Sequence, residues 1–321
     1  MDSAVETFGL TKTYGSAKAV VKALDSLSVK VRKGEILVLL GPNGSGKSTL
    51  LLLLSTVLRP TAGTATVMGY DIVKQPLEVR ETIGISFQEA RGFWRHKPYH
   101  ILAFHAAIYG LRGKERSEVV DQTLKDFDLW PSRNKKFMEL SGGQGKRLEV
   151  AKLFVHRPEV ALFDEPTAMV DLDGKRMIWD RIRGLREQGS TVVVATNEVR
   201  EAEYLADRIS IMKGGKDVVT EDLRTLKDSI TGGDVVEVRM SPAITSEALK
   251  VVSEIPGTVR VTQATEDTLN AFVNRSEDWL PQMMASIQSL DVKITSIRVS
   301  EPSLDDVFLH YTGKEVASAR A

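Results

Sequence analysis

The sequence predicts an α/β protein of two domains, the first built on a mixed, mostly parallel sheet. The apolar runs EILVLL (residues 35–40) and VALF (residues 160–163) are typical of central strands, and the second opens a strand–helix–strand unit. A helical block separates these strand-rich halves. The last third of the chain follows the order strand, helix, strand, strand, helix, strand, which suits a ferredoxin-like α+β domain. Because 321 residues is long for one domain, we assign residues 1–230 to the first domain, with an inserted helical subdomain at about residues 90–155, and residues 234–315 to the second.

Local patterns predict the remaining elements in order. In the first domain we expect a helix from Lys47 and further strands at residues 29–31, 64–68, 83–87 and 191–195. Within the helical block, one helix is expected to stop at Gly110 and the next to begin with Ser117 as its cap. KDSITGGD (residues 227–234) has the polar, glycine-paired composition of a linker. Beyond it we expect strands at residues 235–240, 258–261, 269–273 and 292–299 and helices at residues 245–254 and 278–290.

Composition and charge restrict the function classes. Lys plus Arg and Asp plus Glu both number 43, so the net charge is zero and we expect no nucleic-acid partner. The chain has no cysteine, which rules out disulfides and cysteine metal sites. The first residues have no apolar core of the signal-peptide type, so secretion is not expected. The longest apolar stretch, residues 50–58, is far shorter than the roughly 20 residues of a membrane helix. Work at a membrane would therefore need another chain.

Residues 41–49, GPNGSGKST, fit the phosphate-loop pattern G-x-x-x-x-G-K-[ST] between a predicted strand and a predicted helix. Glycines let backbone N–H groups turn inward around phosphate oxygens, and the helix N-terminus adds partial positive charge. Lys47 can reach the β- and γ-phosphates, Ser48 offers a hydroxyl to Mg²⁺, and Thr49 can donate to the α-phosphate. The pattern predicts ATP and Mg²⁺ binding by Gly41, Asn43, Gly44, Ser45, Gly46, Lys47, Ser48 and Thr49.

Two acids follow the apolar run VALF. A carboxylate at the end of this strand faces the edge of the sheet where ligands bind in such folds. We expect Asp164 to orient Mg²⁺, through a water, and Glu165 to polarise the water that attacks the γ-phosphate. The alternative is that the pair ends a strand in solvent.

The segment LSGGQ (residues 140–144) lies immediately before a patterned helix. Ser141 and the backbone N–H groups of Gly142 and Gly143 make an anion-binding patch at a helix start. The whole helical block separates this patch from the phosphate loop. If that block projects from the core, the patch closes on the ATP of a second, identical chain, and two ATP molecules lie between the subunits.

These segments, in this order, resemble the ATP-binding cassette (ABC) ATPases over residues 4 to 230. The resemblance is carried by GPNGSGKST, Gln88 in SFQEA, LSGGQ, LFDEP and Asp171 in AMVD. It implies that Tyr14 stacks on adenine, that Gln88 contacts Mg²⁺ and the attacking water, and that Asp171 organises the dimer seam. It also implies that Ser141, Gly143 and Gln144 serve the partner's nucleotide.

The chain departs from this family at one position. The family has a histidine that contacts the γ-phosphate soon after the strand following the catalytic acids, and here that position is Asn197. Two interpretations stay open. Asn197 donates a neutral hydrogen bond and supports slow hydrolysis, which we favour, or it only caps the next helix and the protein is a nucleotide-dependent switch.

The resemblance further implies a transporter. The ending EPSLDDVFLHYTG is similar to the tail of drug-resistance and antibiotic-efflux cassettes, and implies an exporter ATPase that serves separate membrane permease chains from the cytoplasmic face of the cell membrane. Residues just after Gln88 border the permease groove in that family: Arg91, Phe93, Trp94, Arg95 and Tyr99. For Phe93 and Trp94 a place in the core is an equal alternative. A soluble cassette ATPase acting on ribosomes or DNA is the alternative function.

Overall fold

A six-stranded sheet lies within Met1–Asp222, the first of the two units into which the chain divides, and Leu223–Glu315 is the second. The computed structural model describes residues 3–16, 19–89, 94–229, 233–287, 290, 292–300 and 303–313. The strands of the first unit are β1 (Ser3–Ser16), β2 (Ala19–Leu27), β3 (Lys30–Arg32), β4 (Ile36–Leu40), β5 (Ala62–Val67), β6 (Tyr70–Asp71), β7 (Ile83–Ser86), β8 (Val160–Asp164), β9 (Thr191–Thr196), β10 (Arg208–Lys213) and β11 (Lys216–Glu221). Its helices are α1 (Lys47–Leu54), α2 (Pro76–Thr82), α3 (Pro98–Ile108), α4 (Gly113–Asp126), α5 (Gly142–Ala151), α6 (Leu172–Glu187) and α7 (Val199–Leu205).

The six-stranded sheet has the order β11-β10-β4-β9-β8-β7, and its pairs are parallel except for the antiparallel edge pair β10–β11. All residues of β4, β8 and β9 are buried, as expected for parallel strands covered on both faces. The carboxyl ends of these three neighbours meet at one edge of the sheet. Ligands bind at this edge in open α/β sheets, and the mixed-sheet α/β class predicted from the sequence is confirmed.

A second, antiparallel sheet of the first unit has the order β2-β1-β5-β6, with β3 also paired to β1. β1 is a long strand of 14 residues with irregular register. Side chains from this sheet, from α1 and from β4 share one apolar core, which includes Val5, Leu24, Leu39 and Leu51. Full burial of a leucine side chain contributes about 1.5–3 kcal/mol, so this core fixes the antiparallel sheet beside the start of α1.

The helical block between β7 and β8 contains α3, α4 and α5, and α3 packs against α4. α3 ends at Ile108 before Gly110, whose φ is +87°, so the predicted stop is confirmed. The predicted cap at Ser117 is wrong. α4 begins at Gly113, one turn earlier, and the Ser117 hydroxyl donates to the Lys114 carbonyl at 2.8 Å within the helix.

The second unit contains the strands β12 (Asp234–Ser241), β13 (Thr258–Gln263), β14 (Thr268–Val273) and β15 (Lys293–Ser300) and the helices α8 (Leu223–Asp228), α9 (Ser246–Glu254), α10 (Ser276–Ile287) and α11 (Leu304–Thr312). Its sheet has the order β13-β14-β12-β15 with all pairs antiparallel. Side chains of α9 and α10 share a core with one face of this sheet, and the predicted ferredoxin-like arrangement is confirmed.

Two elements of the second unit differ from the sequence-based expectation. The segment predicted as a linker begins inside a helix, because α8 runs to Asp228 with Leu226 buried. α11 was not anticipated. It begins with a capping box between Ser303 and Asp306 and ends before Gly313, whose φ is +66°. α8 and α11 pack against each other.

Candidate functional site

The loop between β4 and α1 depends on glycine at two places. Gly44 and Gly46 have φ values of +80° and +105°. Residues other than glycine adopt such positive φ values only at an energetic cost. A Cβ atom on Gly46 would lie 2.5 Å from the Ala23 carbonyl oxygen, so the space is also closed. Gly46 precedes the first residue of α1. The backbone N–H groups of the loop therefore gather at a helix N-terminus, the geometry that binds phosphate.

Lys47 is the first residue of α1 and is only 5% exposed. Its ammonium group donates to the carbonyl oxygens of Gly41 and Pro42 at 2.7 and 3.2 Å. Burial lowers the pKa of Lys47, and the carboxylates of Glu165 and Asp164 oppose this shift. The cation is thus held beside the loop, close to the two acids.

Ser45 supplies a second feature of the same loop. Its hydroxyl oxygen is buried and has no hydrogen-bond partner among the residues that the structure describes. An unpaired buried hydroxyl is costly. A phosphate oxygen bound in this loop would provide the acceptor, so the loop fits a phosphate group.

Two acids lie at the carboxyl end of β8. Asp164 is its last residue, and the Ser48 hydroxyl donates to Asp164 Oδ1 at 3.0 Å. Burial raises the pKa of Asp164, and the hydrogen bond from Ser48 opposes this rise. Glu165 follows with a φ of +45°, a left-handed conformation that is rare outside glycine and common at functional sites.

Gln88 lies opposite Glu165. Its side-chain amide donates to Glu165 Oε2 at 3.0 Å, although 77 residues separate the two in sequence. A carboxylate beside an amide can hold and polarise a water molecule. Together with residues 43–49 of the loop, Gln88 and Glu165 line one cleft of about 170 Å³. The structure thus brings the phosphate loop and the predicted catalytic side chains into one site.

Asn197 also reaches this site. It follows β9, and its side-chain amide donates to Asn43 Oδ1 at 3.2 Å. The helix that follows is preceded by Glu198 as its N-cap, so Asn197 does not cap it. The predicted helix cap at Asn197 is therefore wrong, whereas slow hydrolysis and a nucleotide-dependent switch both stay predictions.

The LSGGQ segment forms the start of α5. Ser141 is the N-cap, its hydroxyl accepts from Gln144 N–H at 3.2 Å, and Gln144 Oε1 accepts from Ser141 N–H at 3.1 Å. Ser141 is exposed and Gly143 partly exposed, and among the described residues neither lines the cleft of the phosphate loop. Met169, next to Gly142, is 89% exposed. The segment is ordered by its own caps and lies outside the lining of its own cleft.

Tyr14 and Asp171 lie outside the cleft. Tyr14, on β1, is 40% exposed with the Lys12 ammonium 5.4 Å from its ring centre. An exposed aromatic ring can stack on a base. Asp171 caps α6, since its carboxylate accepts from Gly174 N–H at 2.9 Å.

Sequence reasoning missed Lys146, which lies in α5 behind the cleft. The side chain is 3% exposed, and burial lowers its pKa to about 8. In sequence it is one of many lysines, and its neighbours Arg147 and Glu149 make the stretch look like a solvated helix face. Only the packing of α5 on the core distinguishes it.

The side-chain oxygen atoms of Ser48 and its neighbours are suitable ligands for Mg²⁺. This ion prefers oxygen ligands and is usually held by one or two carboxylates together with substrate phosphates. Ser48, Asp164 and the side-chain oxygen of Gln88 are such donors. Within the described part of the chain, no cluster of three His, Cys, Asp or Glu side chains could hold a metal by itself.

A parallel sheet whose central strand leads into a glycine-rich phosphate loop, with acids at the end of a neighbouring strand, defines a P-loop nucleoside triphosphatase. Among the residues that the structure describes, no helix combines the length and the apolar character that a membrane span requires.

Comparison with known proteins identifies the family within this class. Residues 24–168 match the ABC transporter family, and residues 222–312 match the C-terminal domain of DrrA1-3-like ATP-binding proteins. The chain is 33% identical to the daunorubicin resistance ATP-binding protein DrrA3 of Streptomyces coeruleorubidus, over 98% of this chain and 97% of that protein. It is 30% identical to the Nod factor export ATP-binding protein I of Rhizobium etli, over 98% of this chain and 95% of that protein. The chain belongs to the ABC transporter family as an ATP-binding and ATP-hydrolysing subunit, and its relatives group it with exporters.

A solved structure is similar to the first unit. It is the ATP-binding cassette MJ0796 in a dimeric post-hydrolysis state bound to ADP and Pi, which is 28% identical and has a TM-score of 0.65. The match covers 68% of this chain and 99% of that one. That cassette is thus a dimer that binds nucleotide.

Proposed function

We propose that this protein powers an exporter of the drug-resistance type, acting through separate membrane permease chains at the cytoplasmic face of the cell membrane. The observation that carries the proposal is the match to a daunorubicin resistance ATP-binding protein over nearly the whole length of both chains. The C-terminal match supports it, because a generic cassette would not share that domain. Residues 1–230 are the nucleotide-binding domain, with a helical subdomain at about residues 90–155, and residues 234–315 are an accessory domain.

The residues of the cleft share the tasks of binding ATP and hydrolysing it. Lys47 holds the β- and γ-phosphates, and Gly41, Asn43, Gly44, Ser45, Gly46 and Thr49 complete the phosphate loop. Ser48 and Gln88 would hold Mg²⁺, and Asp164 would orient it through a water. When bound, Mg²⁺ neutralises charge on the phosphate oxygens. Glu165 accepts a proton from the water that Gln88 orients, and the 3.0 Å contact between the two side chains supports this pairing.

A second copy of the chain completes each site. The exposed start of α5 offers the Ser141 hydroxyl and backbone N–H groups to an anion, and these groups do not line their own cleft. In a head-to-tail homodimer, Ser141, Gly143 and Gln144 contact the partner's ATP, Tyr14 stacks on adenine, and Asp171 lies at the seam beside exposed Met169. ATP thus closes the dimer and hydrolysis reopens it.

Asn197 gives a first test of the reaction. Its amide lies 3.2 Å from Asn43, at the phosphate end of the cleft. A charged donor forms a hydrogen bond about twice as strong as a neutral one, so Asn197→His is expected to raise kcat by about tenfold, equivalent to roughly 1.4 kcal/mol. Asn197→Ala is expected to lower kcat by about a hundredfold. Phosphate release measures both. Equal turnover in wild type and Asn197→His would mean that asparagine in place of the family's histidine does not affect hydrolysis.

The permease contact gives the test of the transport proposal. Trp94 is 71% exposed, so it has no place in the core, while Arg91 and Phe93 lie outside the described residues. An exposed tryptophan beside Arg95 and Tyr99 has the composition of an interface anchor. Trp94→Ala combined with Arg95→Glu is expected to weaken binding to the permease by about 30-fold, since anchor residues contribute about 2 kcal/mol.

The measurement is co-purification of the chain with an integral membrane protein from detergent-solubilised membranes, and a six-helix membrane protein encoded beside this chain would be the partner to test. ATP hydrolysis by the isolated subunit should be unchanged. Arg224→Glu, a charge reversal at a side chain that is 92% exposed, is the matched control. A wild-type chain that never associates with a permease, but sediments with ribosomes, would replace the transport proposal with the soluble ATPase.

A further inference from the structure

Helix α5 buries a lysine to which the hydrolysis scheme assigns no role. The ammonium group of Lys146 donates to three backbone carbonyl oxygens: Phe87 at 2.9 Å, Gln88 at 2.9 Å and Asp164 at 3.1 Å. An ammonium group has three N–H donors, so each donor has an acceptor. The three carbonyls belong to two segments that meet at the cleft, the one after β7 and the end of β8.

A second group on the same helix face contacts the first of these segments. Glu149, three residues after Lys146, is 2% exposed and accepts from Phe87 N–H at 3.5 Å. Residues three apart lie on the same face of a helix. α5 thus contacts this segment through the Lys146 ammonium group at 2.9 Å and through a longer contact from Phe87 N–H to Glu149, and the first of these is the stronger restraint.

The two segments that Lys146 contacts carry the reacting side chains. The side chain of Gln88 donates to Glu165, and the carboxylate of Asp164 accepts from Ser48. Lys146 holds the backbone at both Gln88 and Asp164, one residue before Glu165. A small displacement of either segment would change the distance between the Gln88 amide and the Glu165 carboxylate.

We propose that Lys146 is a positioning residue for ATP hydrolysis, which fixes the backbone of Gln88 and of Asp164 to helix α5 so that Gln88 and Glu165 meet the attacking water together. This inference rests on the proposed function, because it takes Gln88 and Glu165 as the groups that act on that water. Lys146 itself does not line the cleft of the phosphate loop.

The test uses three variants of the full-length chain. Lys146→Met keeps an unbranched side chain of similar length but removes all three donors, and it is expected to lower kcat by about 10- to 100-fold, since a misplacement of about 1 Å can have that effect. The ATP dissociation constant and KM are expected to stay within about threefold of wild type, because the phosphate loop is untouched. Lys146→Arg keeps a cation with several donors and is expected to recover part of kcat, since a planar guanidinium fits the three carbonyls less well than an ammonium group. Arg147→Met, which removes the neighbouring cation paired to Asp128, is the control and should leave kcat unchanged.

Glu165→Gln, measured in parallel, separates two kinds of failure. If Glu165→Gln hydrolyses ATP like wild type, the assignment of the water-activating groups is wrong and the inference falls with it. If Glu165→Gln is inactive but Lys146→Met keeps wild-type kcat, only the positioning role is wrong. A loss in Lys146→Met of kcat, ATP affinity and Tm together, without recovery in Lys146→Arg, would mean that the lysine only holds the fold and would also overturn the proposal.

Discussion

Glu165→Gln is expected to lower the steady-state rate of ATP hydrolysis by a factor of about 10²–10⁴, the contribution typical of a general base. Glutamine has nearly the same volume as glutamate and can keep the contact with Gln88, which is 3.0 Å long in the wild-type chain. It cannot accept the proton of the attacking water at neutral pH. Phosphate release under saturating ATP and Mg²⁺ measures the effect.

The same variant should also stabilise the ATP-bound dimer. If hydrolysis reopens the two subunits, a chain that binds ATP without cleaving it accumulates in the closed form. Size-exclusion chromatography with ATP is expected to show a dimer for Glu165→Gln and mostly monomer for wild type after turnover. Glu187→Gln, an exposed position at the end of α6, is the matched control and should behave as wild type. A variant that stays monomeric with ATP, with LSGGQ exposed to solvent, would contradict the proposal of a shared site.

Lys47→Ala is expected to weaken ATP binding by about 10²–10⁴-fold. Hydrogen bonds to a charged group contribute about 1.5–3 kcal/mol each, and Lys47 is placed to make two, to the β- and γ-phosphates. The buried ammonium lies beside the loop in contact with the carbonyls of Gly41 and Pro42, so little reorganisation is needed to reach a nucleotide. Equilibrium binding of a fluorescent ATP analogue measures the loss.

The control for this variant addresses folding. Alanine is a good helix former, so α1 should persist, and the Tm of Lys47→Ala should remain close to that of wild type. Lys250→Ala removes an exposed lysine from α9 in the second unit and should leave ATP affinity unchanged. ATP affinity within about threefold of wild type in Lys47→Ala would refute the assignment of the phosphate loop.

Strongly apolar strands could be predicted from the sequence, whereas elements that depend on distant partners could not. β4, β8 and β9 are apolar nearly throughout, because both of their faces are covered. β1 has the sequence SAVETFGLTKTYGS, and its strand conformation is set by pairing with β2, β3 and β5. The error at Ser117 has a similar cause, since a good local cap does not decide where a helix starts when preceding residues can extend it.

The residues of the candidate site also fall into two groups, those predictable from local motifs and those that depend on contacts between distant parts of the chain. The phosphate loop, Asp164 and Glu165 carry their chemistry in consecutive residues, so their motifs could be read directly. The contacts of Gln88 with Glu165 and of Asn43 with Asn197 join residues 77 and 154 positions apart and required the structure. Lys146 could not be recognised at all, because its role depends on burial rather than on its neighbours in sequence.

The left-handed backbone of Glu165 has a consequence for how this protein can change. A residue other than glycine at such a φ carries a conformational cost of about 1 kcal/mol or more. Glycine would relieve that cost, so Glu165→Gly is expected to favour the folded turn. The same substitution removes the Glu165 carboxylate. At this position thermostability and turnover are opposed, and engineering for a more durable chain should leave residue 165 untouched.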